Sequence, residues 1–322
     1  MSQLIVDAVV AGYFGYGNVG DEIILKLFLE NFPFNTLVLK RTGKNPFKLF
    51  FILLKNKKAS LIFPGGEIFQ DRTSFFSLIS YATLVWIALF FKRRVFLLFQ
   101  GFSDNLSSLS FKIVKKIFSK ATFVSFRDLS SFPSQLKLDN IRCSPDISFL
   151  IKSKIYKSEE KIVLCVIKKP SFCLEKRFKK FFYEEIRRSF SDYKIIFIPF
   201  HPADENFVKN FPNSRKVTSV DETLNLISKA SFIITSRYHA MVLSFIFKKR
   251  VVGIDFDGRL KKLSDYAEAG TVIDFKSFMN NPSLLHQAIE KEKINKIFYK
   301  NFLFKKMVNK CFREFLSVFK GG

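Results

Sequence analysis

The run Ser236-Arg237-Tyr238-His239-Ala240 puts a guanidinium and an imidazole two positions apart. It follows an apolar run over 232–235 and opens a helical pattern over 238–248. Residues at such a junction lie at the carboxyl edge of a sheet, where open α/β proteins bind ligands. Arginine grips phosphate or carboxylate through paired N–H groups. Histidine is the side chain that titrates nearest neutral pH. The chemistry on offer is anion binding with proton donation: His239 as the acid, Arg237 beside it, and Ser236 as a further ligand contact. His201, in Pro199-Phe200-His201-Pro202 after another apolar run, is the second candidate. His286 lies on a helical pattern and is expected to be solvated.

Other turns of the same kind precede and follow this one. Gly15-Tyr16-Gly17-Asn18-Val19-Gly20-Asp21 holds a GxGxxG after the first apolar run. Gly15, Gly17 and Gly20 permit a tight turn, and with Asn18 and Asp21 they open a helix whose N–H groups could face an anion. A strand-to-helix turn with no ligand explains the glycines too. A dinucleotide site wants an acidic residue after the second strand. That place holds Lys40 and Arg41, which counts against NAD but suits a phosphorylated ligand. Pro64-Gly65-Gly66 leads to Gln70 and Asp71, which can hydrogen-bond sugar hydroxyls; ordinary turn chemistry accounts for Gly65 and Gly66 equally well. Ser125-Phe126-Arg127-Asp128 ends another apolar run. Arg127 suits phosphate or carboxylate, and an Arg–Asp pair capping the next helix is the other reading. In Asp255-Phe256-Asp257-Gly258-Arg259, Asp257 and Arg259 could contact a ligand or simply form a β–α turn.

The elements that must position these residues are read from hydrophobic period. Short apolar runs at 4–11, 36–40, 60–63, 94–99 and 122–126 alternate with helical patterns at 21–31 and 106–119. Residues 147–150 close the first half. The alternation restarts with runs at 161–167, 194–199, 232–235 and 250–254 and helices at 174–190, 221–229 and 238–248. Such alternation specifies parallel sheets with helices on both faces. The expected organisation is a lobe over 1–152, a polar linker near 153–161, a second lobe over 161–281, and a basic helical segment over 282–322. The fold class is α/β, two Rossmann-like doubly wound lobes facing a central cleft.

Bulk composition narrows the partners. The chain has 322 residues, 53 basic and 28 acidic, for a formal charge of +25, and 48% are hydrophobic. It can bury a core in each lobe, and the charge favours an anionic partner. No aromatic-basic motif of the RNA-binding kind occurs, so nucleic acid is not expected. Cys143, Cys165, Cys173 and Cys311 form no CxxC, giving neither a zinc knuckle nor a disulfide framework. No metal is expected, and a reducing, cytoplasmic location is. The first ten residues contain Asp7 and lack a basic start, so they read as a strand rather than a signal peptide. The uncharged stretch 73–91 is long enough to span a bilayer. Its serines and its place between two strands favour a buried crossover helix. The charge, much of it over 291–320, predicts peripheral contact with an anionic membrane at its inner face.

In order, the Gly15–Asp21 loop with Glu22, the Gly65-Gly66 turn running to Gln70-Asp71, Phe126-Arg127-Asp128, Pro199-Phe200-His201, Ser236-Arg237-Tyr238-His239-Ala240 and Asp257-Gly258-Arg259 resemble the polysaccharide pyruvyl transferase family over about residues 10–262. The resemblance implies two Rossmann-like lobes in a GT-B-like arrangement. It implies phosphoenolpyruvate as co-substrate, no separate cofactor, and a pyruvate ketal formed on a cell-surface glycan or its lipid-linked sugar precursor. It gives Arg127 and Arg237 the donor's anionic groups, and His239 the catalytic acid. A GT-B-like glycosyltransferase using a nucleotide sugar is the competing reading, since fold does not fix function.

Overall fold

The computed structural model describes residues 6–40, 46–72, 74–102, 106–127, 141–152, 161–295 and 300–321. Two compact units divide the chain, Met1–Leu150 with Phe302–Gly322, and Ile151–Asn301. The first contains β1 (Ala8–Ala11), α1 (Val19–Asn31), β2 (Thr36–Leu39), α2 (Pro46–Lys55), β3 (Ser60–Phe63), α3 (Phe75–Phe90), β4 (Val95–Gln100), α4 (Ser108–Lys120), β5 (Phe123–Phe126) and β6 (Arg142–Cys143). The second contains β7 (Ile162–Val166), α5 (Glu175–Ser189), β8 (Lys194–Phe197), α6 (Pro202–Val208), α7 (Val220–Lys229), β9 (Phe232–Thr235), α8 (Tyr238–Ile246), β10 (Arg250–Asp255), α9 (Arg259–Ala267), β11 (Thr271–Asp274), α10 (Phe275–Asn280) and α11 (Ser283–Ile294). The last helix, α12 (Asn301–Lys320), returns to the first unit.

Each unit is built on one parallel sheet, ordered β2-β1-β3-β4-β5-β6 in the first and β11-β10-β9-β7-β8 in the second. Both are doubly wound and Rossmann-like. Their inner strands are buried on both faces, which is why they read as unbroken apolar runs rather than alternating ones.

In the first unit, Val9, Leu61, Phe63, Val95 and Leu97 pack on one face with Leu49 and Leu53 of α2, Leu78 and Leu84 of α3, and Val114 of α4. The alternate residues point the other way. Phe96 and Phe123 meet Phe315 of α12 with ring centroids 5.3 and 6.0 Å apart, and Phe28 of α1 meets Phe312 at 6.0 Å. So α2, α3 and α4 cover one face of this sheet, and α1 and α12 cover the other. In the second unit, Val163, Cys165 and Ile234 pack with Phe178, Phe182 and Ile186 of α5 and with Leu285 and Ile289 of α11.

Several expectations change in detail. Within the apolar stretch 73–91, residues 75–90 form α3, the 16-residue crossover expected between β3 and β4, and no described helix is long and apolar enough to cross a membrane. The segment 282–322 does not act as one piece: α11 packs on α5 and β11, whereas α12 packs on the first sheet. In 282–322 the apolar residues Ile294, Ile297, Phe298, Phe304, Val308, Cys311, Phe312 and Phe315 fall mostly at helical spacing; Phe304, Val308, Cys311, Phe312 and Phe315 are buried, but Ile294 is exposed. Ile297 and Phe298, Arg41, Asp128 and most of the expected linker lie outside the described residues.

Candidate functional site

In the second unit, four turns gather at the carboxyl edge of the sheet, after β7, β8, β9 and β10. Ser236 ties two of them together: its hydroxyl accepts from the Lys168 N–H at 2.6 Å. Asp204, on α6 after β8, is 1% exposed. Its Oδ1 accepts from the Lys169 N–H at 3.0 Å, and its Oδ2 from Arg237 Nε at 2.9 Å and from Arg237 Nη2. Burying a lone carboxylate is costly. The Arg237 pair and the backbone N–H are what make its place tolerable, and in return Asp204 fixes one edge of the Arg237 guanidinium.

Arg237 is also the residue at which α8 begins. Its backbone is extended there (φ −111°, ψ 127°), and its N–H donates to Thr235 Oγ1 at 2.9 Å. Among the described residues no side chain caps α8, and its first turn holds no acidic residue. The helix dipole makes such an end favourable to an anion. His239 sits in that first turn, half-buried, with its ring edge-on to Tyr238.

His201 caps α6. Its Nδ1 accepts from the Ala203 N–H at 3.1 Å, so the neutral ring carries its proton on Nε2. Burial first, then the Arg237 cation, pull its pKa below the usual histidine value, with Asp204 opposing in part. His201 is thus suited to be a neutral N–H donor near pH 7, not a charged acid. Lys168 reaches to 4.0 Å from Asp257, and Lys169 pairs with Glu175 at 3.3 Å. Arg259 makes a two-pronged bond to Asp257, at 2.8 and 2.7 Å. Gly258 is left-handed (φ 85°), and buried Asp255 accepts the N–H groups of Asp257, Gly258 and Lys261. The third histidine, His286, is not solvated by itself: its Nδ1 lies 2.8 Å from Ser189 Oγ.

In the first unit, the Gly15–Asp21 loop turns through positive φ at Gly15 and Gly17, as its sequence requires. The helix cap is Asn18, whose Oδ1 accepts from the Gly20 N–H at 3.3 Å. Asp21 would serve as a cap if the helix began at Glu22, but it is buried within the first turn beside Gly66. Glu22 folds back to accept from the Gly15 N–H at 2.6 Å. Two carboxylates in one first turn oppose a second anion there, unlike the acid-free start of α8.

Arg127 is 4% exposed and pairs at 3.1 Å with Glu67, which also holds Arg72. One carboxylate is thus shared by two guanidiniums, which leaves this trio with a net positive charge. Gly66 and Gln100 form a bridge beside this pair, and the Gly101 N–H donates to the Gly66 carbonyl at 2.8 Å. Gln70 Oε1 accepts from the Arg72 N–H at 2.6 Å, and Asp71 Oδ2 from the Ser107 N–H at 3.1 Å. Burial alone would raise the Asp71 pKa, but hydrogen bonds from Ser110 and Ser107 outweigh it and leave it lowered. Among the described residues no group of three or more His, Cys, Asp or Glu could hold a metal.

Sequence reasoning found the edge residues and missed their acidic partners, Glu67 and Asp204. Each had a local signal. Glu67 directly follows the Gly65-Gly66 turn. Asp204 stands three residues after the His201 cap, with Pro202 at the first helical position, the place for an acid in a capped first turn.

The sequence pattern of the polysaccharide pyruvyl transferase family matches residues 3–258. No curated protein matches the sequence significantly. Among solved structures, the chain is similar to the UDP-GlcNAc 2-epimerase of Methanocaldococcus jannaschii at 12% identity and TM-score 0.65, covering 96% of this chain and 99% of that one. It is similar to the UDP-N-acetylglucosamine 2-epimerase of Rickettsia bellii at 11% identity and TM-score 0.60, covering 99% and 98%. It is also similar to MurG of Acinetobacter baumannii at 11% identity and TM-score 0.51, covering 95% and 94%. These likenesses identify the fold class as GT-B-like.

Proposed function

The chain belongs to the polysaccharide pyruvyl transferase family, and from that premise we propose that it transfers the pyruvyl group of phosphoenolpyruvate to two hydroxyls of one glycan sugar. The glycan is a cell-surface polysaccharide or its lipid-linked precursor. The observation that carries this reading is the start of α8: an acid-free helix N-terminus with Arg237 at its cap position and His239 in its first turn.

The donor has a phosphate and a carboxylate, so its pocket needs cations and N–H donors. Arg237 serves one of these groups through the guanidinium edge that Asp204 leaves outward. The α8 N–H groups and the Lys168 ammonium serve the other. His239 gives a proton to the methylene carbon, which becomes the methyl group, and C2 takes on positive character. A sugar hydroxyl attacks C2 and its proton returns to the site. The bond from C2 to the phosphate oxygen breaks, phosphate leaves, and the second hydroxyl adds at C2 with loss of its proton. Two C–O bonds form, one breaks, and the net products are the ketal and inorganic phosphate. His201 donates from Nε2–H to an oxygen of donor or sugar. No step calls for a cofactor.

The test is incubation with phosphoenolpyruvate and a panel of glycan and lipid-linked sugar acceptors. The expected result is acceptor-dependent phosphate release with a product heavier by one pyruvyl group. Tight calorimetric binding of a nucleotide sugar, with none of phosphoenolpyruvate, overturns the proposal in favour of glycosyl transfer.

A further inference from the structure

The two helices that cover one face of the first sheet leave a large apolar surface outward. α2 buries Leu49 and Leu53 against the core, yet Phe47, Phe50, Phe51 and Leu54 are exposed, Phe47 by 82%. α3 packs beside it and ends in Phe90, 76% exposed. The patch is continuous: Phe51 touches Phe50 with centroids 5.8 Å apart, Phe50 touches Phe91 at 5.0 Å, and Phe91 touches Phe90 at 5.3 Å. Aromatic surface of this size on a soluble face marks a contact site.

Charge selects the occupant. Exposed Lys48, Lys55, Lys57, Lys58 and Lys92 belong to these same segments. No acidic residue occurs in 46–63 or 75–100. A second copy docking through the same patch would bring like charges together. An anionic bilayer accepts both features, with rings at the acyl boundary and ammonium groups among the headgroups. We propose that the α2–α3 face is a docking surface for an anionic lipid bilayer, inserting Phe47, Phe51 and Phe90 into the interface. The proposal does not depend on the reaction catalysed. It also moves the membrane contact away from the basic C-terminal helix, because α12 covers the opposite face of the same sheet.

The chain's single tryptophan makes the test direct. Trp86 is exposed on α3, one turn before Phe90. The full chain is titrated with vesicles of phosphatidylcholine, with and without phosphatidylglycerol. Binding that requires phosphatidylglycerol, with Trp86 emission quenched by brominated lipid, is expected. Phe51→Ser weakens partitioning about tenfold. Lys55→Gln and Lys57→Gln weaken it about fivefold each at low salt, an effect that high salt removes. Lys305→Gln with Lys306→Gln on α12 leaves it unchanged. All these positions are exposed, and an unaltered urea midpoint verifies folding. Four results each overturn the proposal: no vesicle binding, Trp86 unquenched, binding insensitive to Phe51→Ser but lost with the α12 pair, or a lipid-free dimer that Phe51→Ser dissociates.

Discussion

Arg237 is held in place by Asp204, and the proposed reaction asks it to bind the donor as well. Removing either partner of a buried ion pair leaves the other uncompensated, which costs about 3 kcal/mol. Arg237→Ala and Asp204→Ala are each expected to lower the urea-unfolding free energy by about that amount. The double substitution should cost clearly less than the sum. Additive effects would mean that the pair is not coupled. Activity should be read on folded protein only, where His239→Gln tests the proposed acid: kcat for phosphate release is expected to fall roughly 10²–10⁴-fold with donor KM little changed. A near-normal rate in His239→Gln, with His201→Gln inactive, would move the acid to His201. The depressed pKa of His201 adds a pH signature. The unfolded chain takes up its proton near pH 6.5 and the folded chain only at lower pH. Its contribution to stability is therefore complete above the unfolded pKa and is lost as pH falls through that value toward the folded one. His201→Asn should flatten this part of the stability–pH curve. An unchanged curve would show that His201 titrates alike in both states.

At the scale of elements, strands 60–63 and 232–235 were legible to the residue, because apolar runs flanked by turn residues leave little choice of register. α2 was not, since Pro46–Lys55 is a short, mostly apolar run that reads as helix or strand alike. β6 and β11 are edge strands, short or only half-buried, so they lack the runs that mark the interior. The site divides similarly. Its glycines, arginines and histidines stand out by type and place. The acid partners are set by tertiary pairing across 60 residues for Arg127–Glu67 and 33 for Arg237–Asp204, which no local period reports. Gly101 links the two levels. A Cβ there would lie 2.7 Å from the Arg127 guanidinium, which is buried and held by Glu67. Gly101→Ala should destabilise by about 1–3 kcal/mol, measured by urea unfolding. In an Arg127→Ala background the same change should cost little. An equal cost in both would place the clash elsewhere.

For the whole molecule, the chain leaves the first unit after residue 150 and comes back to it at Phe302. Deleting 302–322 would strip α12 from Phe28, Phe96 and Phe123. Each uncovered phenylalanine forfeits up to about 2 kcal/mol. The truncated chain should aggregate or bind a hydrophobic dye, while residues 151–301 keep their protease resistance. If both units stay equally resistant, α12 is dispensable to the first.

That return also inverts the order in which the protein can be completed on the ribosome. Domains ordinarily fold from the N-terminus as they emerge. Here the half made first lacks its closing helix until residues 302–320 have been made, whereas the half made second is one unbroken stretch. At about 5–20 residues per second, the nascent first half waits on the order of ten seconds or more with a face of phenylalanines uncovered. Chaperone occupancy on arrested chains should therefore persist past residue 301 and fall only once residues near 320 have cleared the exit tunnel.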